Sequence, residues 1–143
     1  MSATRFTLHP RLAADTFPIG HLPLCDLLLM NEARYPWFIL VPRRPGIREI
    51  HELDDADQVA LIRESSLLAR TLATLFAPDK LNIAALGNVV PQLHVHHIVR
   101  YVTDPAWPAP VWGKLPPQPY GGGEHQRIIA RLTGALEPHF SRS

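Results

Sequence analysis

A chain of 143 residues that is 46% apolar has the length for one globular core and does not call for two. Its 14 basic and 13 acidic residues leave a formal charge of +1, which excludes a broad electrostatic footprint for nucleic acid or a membrane surface but leaves room for a small anionic ligand. The single cysteine, Cys25, excludes an internal disulfide and any multi-cysteine zinc site and points to a reducing compartment, by default the cytoplasm.

Met1 to Pro10 holds no apolar run of signal-peptide type, and no stretch approaches the roughly 20 apolar residues that span a bilayer, so a soluble protein is expected. Thr16-Phe17-Pro18-Ile19 and Cys25-Asp26-Leu27-Leu28-Leu29-Met30, separated by Gly20 and Pro23, read as two strands with a tight connection. A polar break from Asn31 to Pro36 leads into Trp37-Phe38-Ile39-Leu40-Val41, a strand apolar on both faces, which makes a hairpin with the one before it. Arg43 and Arg44 follow between prolines and read either as an anion site or as a solvated strand end. From Asp54 or Asp55 to Phe76 the pattern is helical, with Leu61, Leu68, Leu72 and Leu75 at spacings of seven, four and three. Arg63, Glu64 and Arg70 are read as its solvated face. Leu81 to Leu86 is a short strand that leads through the turn Gly87-Asn88 into a second hairpin. The segment Asp104 to Trp112 is too rich in proline for a regular element, yet Trp107 and Trp112 need burial, so it is expected to wrap over a surface. Beyond Gly121-Gly122-Gly123, the apolar positions Ile128, Ile129, Leu132 and Leu136 indicate a short C-terminal helix.

The run Gln92-Leu93-His94-Val95-His96-His97-Ile98-Val99-Arg100 concentrates three of the eight histidines in an otherwise apolar, β-branched stretch. On a strand, Gln92, His94 and His96 share one face, while Leu93, Val95, His97 and Val99 share the other. Neighbours on one face lie roughly 6.6–6.8 Å apart, close enough for two side chains to converge on one phosphate or one metal ion. Imidazole serves near neutral pH as nucleophile, acid, base or ligand, which makes a His-x-His pair after a glycine turn a site signal. His97, facing the apolar side, reads as a hydrogen-bonded core or interface histidine. His9, His21, His51, His125 and His139 stand apart and take no role. A zinc site on His94 and His96 lacks an obvious third ligand nearby, so neither a metal nor another cofactor is expected.

These residues resemble the histidine-triad superfamily, whose signature His-x-His-x-His-x-x with apolar x lies on a strand after a Gly-Gln/Asn turn. Here Gly87-Asn88-Val89-Val90-Pro91-Gln92-Leu93-His94-Val95-His96 places the second and third histidines at His94 and His96, with Gln92 in place of the first. Leu28-Leu29-Met30-Asn31, the Pro36 turn and Phe38-Ile39-Leu40-Val41-Pro42 look like the family's strand-Asn-turn-strand. The resemblance covers about residues 16–100, the core of a single domain 1–143, with 101–143 as a C-terminal extension. It implies an α+β fold: an antiparallel sheet of about five strands, one long central helix and a short C-terminal helix, usually assembled as a homodimer. It implies a hydrolase or transferase in which His94 attacks the α-phosphorus of a nucleotide or dinucleotide derivative and forms a nucleotidyl-histidine. His96 would donate to a phosphate oxygen or help the leaving group. Gly87 and Asn88 would offer donors to the same anion, and Asn31 and Asn82 would donate to sugar or phosphate. Gln92 can hydrogen-bond but not become cationic, and Val89 stands where many members carry a hydroxyl. The alternative is therefore a nucleotide-binding sensor or scaffold without useful turnover. The expected partners are a nucleotide-derived small molecule and a second copy of the chain, met through the helix and the Trp107–Trp112 segment; nucleic acid and membrane are not expected.

Overall fold

Six antiparallel strands form one sheet in the computed structural model, which describes residues 5–137, 141 and 142. Along the chain the helices and strands are α1 (Pro10–Asp15), β1 (Thr16–His21), β2 (Cys25–Met30), β3 (Trp37–Pro42), α2 (Asp55–Phe76), β4 (Lys80–Ala84), β5 (Val95–Arg100), α3 (Glu124–Leu136) and β6 (Ser141–Arg142). The strands lie in the order β4-β5-β3-β2-β1-β6. This is the expected α+β arrangement. The sixth strand, two residues paired with Gly20 and His21, is an addition to the five expected. The helix α1 was not foreseen; Pro10 at its first position and the His9 ring, which accepts from the Arg11 N–H at 3.1 Å, start it. His139 lies outside the described residues.

Both faces of the sheet are covered, which is why β3 is buried along its whole length. On one face α2 and α3 bring Leu61, Leu68, Leu72, Leu132 and Leu136 against Leu27, Leu29, Phe38, Leu40, Val95 and Val99. Each of those helix leucines is at most 1% exposed, and burial of such a side chain contributes about 2 kcal/mol, more than intrinsic helix propensity supplies per residue. Asp54 caps α2 by accepting from the Asp57 N–H at 2.8 Å, and Ala77 ends it in the left-handed conformation at φ 45°. The other face holds Leu28, Ile39, Val41, Trp37 and Ile98 under a layer of non-strand chain that includes Leu12, Ala106 and Val111.

Glu64 is not solvated. It lies three residues after Leu61 and four before Leu68, on the buried stripe, and its carboxylate accepts from the backbone N–H groups of Leu24 and Cys25 at 2.8 and 2.9 Å. One helix side chain thus closes the β1–β2 connection. Burial, with Glu64 beside it, pushes the Cys25 thiol far above its ordinary range. Arg43 donates to the Leu22 and Pro23 carbonyls and to Asp26, while Arg44 makes a two-pronged pair with Asp57, so both arginines have partners within the chain. The segment after β5 packs on its own chain: the Trp112 ring lies 5.8 Å from that of Trp37, edge to face.

Candidate active site

The histidine face is the one away from α2. Strand β5 begins at Val95, later than the sequence suggests, because Pro91 lacks an N–H and the Leu93 N–H is taken by the Ile47 carbonyl at 2.9 Å, outside the sheet. The alternation nevertheless extends back through the preceding residues. Leu93, Val95 and Val99 join the helix-side core, and the rings of His94 and His96 meet on the opposite side with centroids 4.8 Å apart and planes at 72°. His97 points toward α2, where its Nε2 meets the Ser65 hydroxyl at 2.7 Å and its Nδ1–H donates to the Val95 carbonyl at 3.1 Å. It is the hydrogen-bonded core histidine expected.

His94 is 7% exposed, and its Nδ1 lies 2.7 Å from the Gln92 carbonyl. A carbonyl only accepts, so Nδ1 carries a proton, and in the neutral ring Nε2 then keeps its lone pair, with no protein partner among the described residues. That is the state a nitrogen nucleophile needs. His96 is 4% exposed, and its Nδ1 lies 2.9 Å from the indole Nε1 of Trp37. Burial, reinforced by His94 and then His97, lowers its pKa to about 3, so its ring is neutral at physiological pH. Trp112 forms a second wall, its ring centroid 5.1 Å from that of His96.

Gln92 enters this arrangement through its carbonyl. Both ends of its amide are engaged elsewhere: Oε1 accepts from the His9 N–H at 2.8 Å and Nε2 donates to the Thr7 carbonyl at 2.9 Å, which fastens the N-terminal segment to the histidine loop. Ala84 pairs with His96 across β4 and β5, so the loop 85–94 that holds Gly87 and Asn88 leaves and rejoins the sheet at the histidine row. Gly87 takes φ +75°, a conformation that favours glycine, and borders a cleft of about 180 Å³ with Arg48, Glu49, Leu86 and Pro91. Asn88 is exposed. Asn82 stands opposite Ile98, two residues along from the histidine row, with its Oδ1 held by Arg100 at 2.8 Å. Asn31 is farther away. Leu28 shares the row of Ile39 and His96, and Asn31 lies three residues beyond it, just past the end of β2, which is two strands removed from β5, a separation on the order of 14 Å. Its Oδ1 accepts from the Tyr120 N–H at 2.9 Å. The structure therefore gathers His94, His96 and the ends of the histidine loop, and sets the two asparagines at a distance.

Three residues that the sequence reading did not assign complete the surroundings. Trp37 was read only as part of an apolar strand and Trp112 as an aromatic anchor for a second copy, although a buried indole N–H demands an acceptor and so hints at one nearby. Arg100 shares the parity of His94 and His96 and is 1% exposed. It makes a two-pronged pair with Asp104 at 2.8 and 3.1 Å, donates to Asn82 and to the Ala109 carbonyl, and lies over the rings of Tyr35 and Trp107. Burial alone would raise the Asp104 carboxyl; hydrogen bonds from Arg100 and from the N–H groups of Tyr101 and Ala106 outweigh it and hold the group below its ordinary range. This pair anchors the segment that lays Trp112 on His96. Among the described residues, no three His, Cys, Asp or Glu side chains converge as a metal site.

The HIT domain family matches residues 11–103 of this chain. Among solved structures, a histidine triad protein from Marinobacter aquaeolei VT8 is 56% identical, with 95% of this chain and 99% of that one covered at a TM-score of 0.92. A histidine triad protein from Bradyrhizobium japonicum is 48% identical, with 93% and 99% covered and a TM-score of 0.91. One from Sinorhizobium meliloti 1021 is also 48% identical, with 92% and 97% covered and a TM-score of 0.89. Among curated proteins none matches.

Proposed function

This chain belongs to the HIT domain family, and from that premise we propose that it is a hydrolase or transferase acting on the α-phosphate of a nucleotide or dinucleotide derivative, with His94 as nucleophile. The observation that carries the reading is the Nδ1–H bond from His94 to the Gln92 carbonyl, which leaves Nε2 as a lone pair. In the first step that lone pair forms an N–P bond as the bond from phosphorus to the leaving group breaks. The leaving group departs with the bonding electrons and takes its proton from solvent. The ring, now cationic, keeps its Nδ1–H on the Gln92 carbonyl. Water or another acceptor then attacks phosphorus, loses a proton, and the N–P electrons return to His94. His96 and the Gly87-Asn88 turn donate to the phosphate oxygens. Asn31 and Asn82 keep amide N–H groups that can serve sugar or phosphate. Gln92 shapes the site through its carbonyl.

We take residues 1–143 as one domain, with 101–143 as its C-terminal extension, working in a reducing compartment such as the cytoplasm, where a buried thiol like Cys25 stays reduced. No described helix is long and apolar enough to cross a membrane. A homodimer is supported by Val59 and Ile62, 52% and 61% exposed on α2, and by β4, which is an open edge of the sheet with Ile83 49% exposed. Incubation with adenosine phosphoramidate and dinucleoside polyphosphates, wild type against His94→Ala, tests the function. Turnover by the wild type and none by the variant is expected; a wild type that binds AMP or GMP but turns over none of these substrates would leave only the sensor reading standing.

A further inference from the structure

Trp37 and His96 are 59 residues apart in sequence and are brought together by strand register. Trp37 pairs with Ile98, and Ile39 with His96, so Trp37 is the diagonal neighbour of His96 on one face, within reach of a long aromatic side chain. The indole N–H is a donor and nothing else, and it points at Nδ1 of His96 over 2.9 Å. Nδ1 must therefore be the unprotonated nitrogen. A neutral imidazole has one N–H, which leaves it on Nε2. Next to it, His94 is held the other way round by a carbonyl. One ring presents a lone pair at Nε2 and its neighbour presents a proton.

We infer that Trp37 is a positioning residue: by occupying Nδ1 of His96 it fixes that ring as the Nε2–H tautomer and makes it a neutral hydrogen-bond donor to the phosphate that His94 attacks. This rests on the proposed function for its use, but not for its test. The His96 ring donates a hydrogen bond and keeps its proton, because surrender of the proton would leave an imidazolate in a buried, largely apolar setting. The same aromatic surroundings, Trp37 at 5.6 Å and Trp112 at 5.1 Å between ring centroids, keep the ring from drawing a second proton out of water.

Nitrogen-15 labelling of the histidines and long-range proton–nitrogen correlation in the ligand-free protein read which ring nitrogen of His96 carries the proton. The wild type should show Nε2–H alone; Nδ1–H would overturn the inference. Trp37→Phe removes the donor and should give a mixture of tautomers, with kcat roughly ten- to a hundredfold lower and KM little changed. Trp37→His, which restores an N–H, should recover part of that loss. Trp112→Phe serves as the packing comparison and should leave the tautomer intact. A pure Nε2–H state in Trp37→Phe, or equal disturbance by both phenylalanine variants, would show that packing alone sets the ring. Should Trp37→Phe fail to fold, the wild-type spectrum and Trp37→His decide. A wild type without turnover would count against the proposed function only, since the tautomer is read without substrate.

Discussion

His94 and His96 lie two residues apart on one face, yet one meets a carbonyl and the other an indole N–H, and this contrast is what gives each ring its part. Replacement of His94 by alanine removes the only nucleophile in the proposed reaction and should lower kcat/KM on the order of 10⁴-fold, read in the same turnover assay. A loss below tenfold would place the nucleophile elsewhere. His97, on the opposite face, affects stability. Burial pushes its pKa down to about 4, partly offset by its bond to the Val95 carbonyl, whereas an unfolded histidine titrates near 6.5. The folded pKa is the lower one, so this contribution is complete above about pH 6.5 and is lost as pH falls toward 4, where the unfolded chain binds the proton first. A shift of that size corresponds to roughly 3 kcal/mol. Urea unfolding at neutral pH and near pH 4.5 should show His97→Gln losing less stability on acidification than the wild type; equal losses would remove His97 from the acid response.

At the scale of elements, two buried charged groups hold segments that periodicity alone leaves loose. Glu64→Ala leaves the N–H groups of Leu24 and Cys25 without an acceptor and should cost about 3 kcal/mol in chemical denaturation. Arg100→Met leaves Asp104 buried and unpaired, and should free the segment 104–112 to limited proteolysis while costing about 3–5 kcal/mol; an unchanged cleavage pattern would show that the segment is held by its aromatic contacts alone. The elements themselves were legible because their signals are local: leucine spacing for α2, alternation around Val95, the apolar run of β3. So was the pairing of His94 with His96, since it follows from strand alternation. Glu64 was misread because a charged residue at a helical position looks solvated until the backbone it caps, 39 and 40 residues earlier in the chain, is brought beside it. Trp37 and Arg100 were missed as site-builders, and the engagement of the Gln92 amide by the N-terminal segment was not foreseen, for the same reason. Their partners are set by register and by loops that return from far along the chain.

For the whole molecule, the exposed Val59 and Ile62 of α2 and the open edge at β4 support the proposed homodimer. Light scattering at micromolar concentration should give twice the one-chain mass of 16.0 kDa, and Ile62→Glu should shift the population toward monomer. A wild-type species of one-chain mass would refute the dimer, and a dimer indifferent to Ile62→Glu would move the interface off this face of α2. The covalent step is the claim on which the rest depends. Its most direct measurement is mass spectrometry of protein mixed with excess substrate and quenched in alkali within one turnover, since N–P bonds to imidazole survive base better than acid. The expected result is the mass of one nucleotidyl group on the peptide that contains His94, absent from His94→Ala. Turnover that proceeds with no adduct, or with the adduct on another residue, would contradict it.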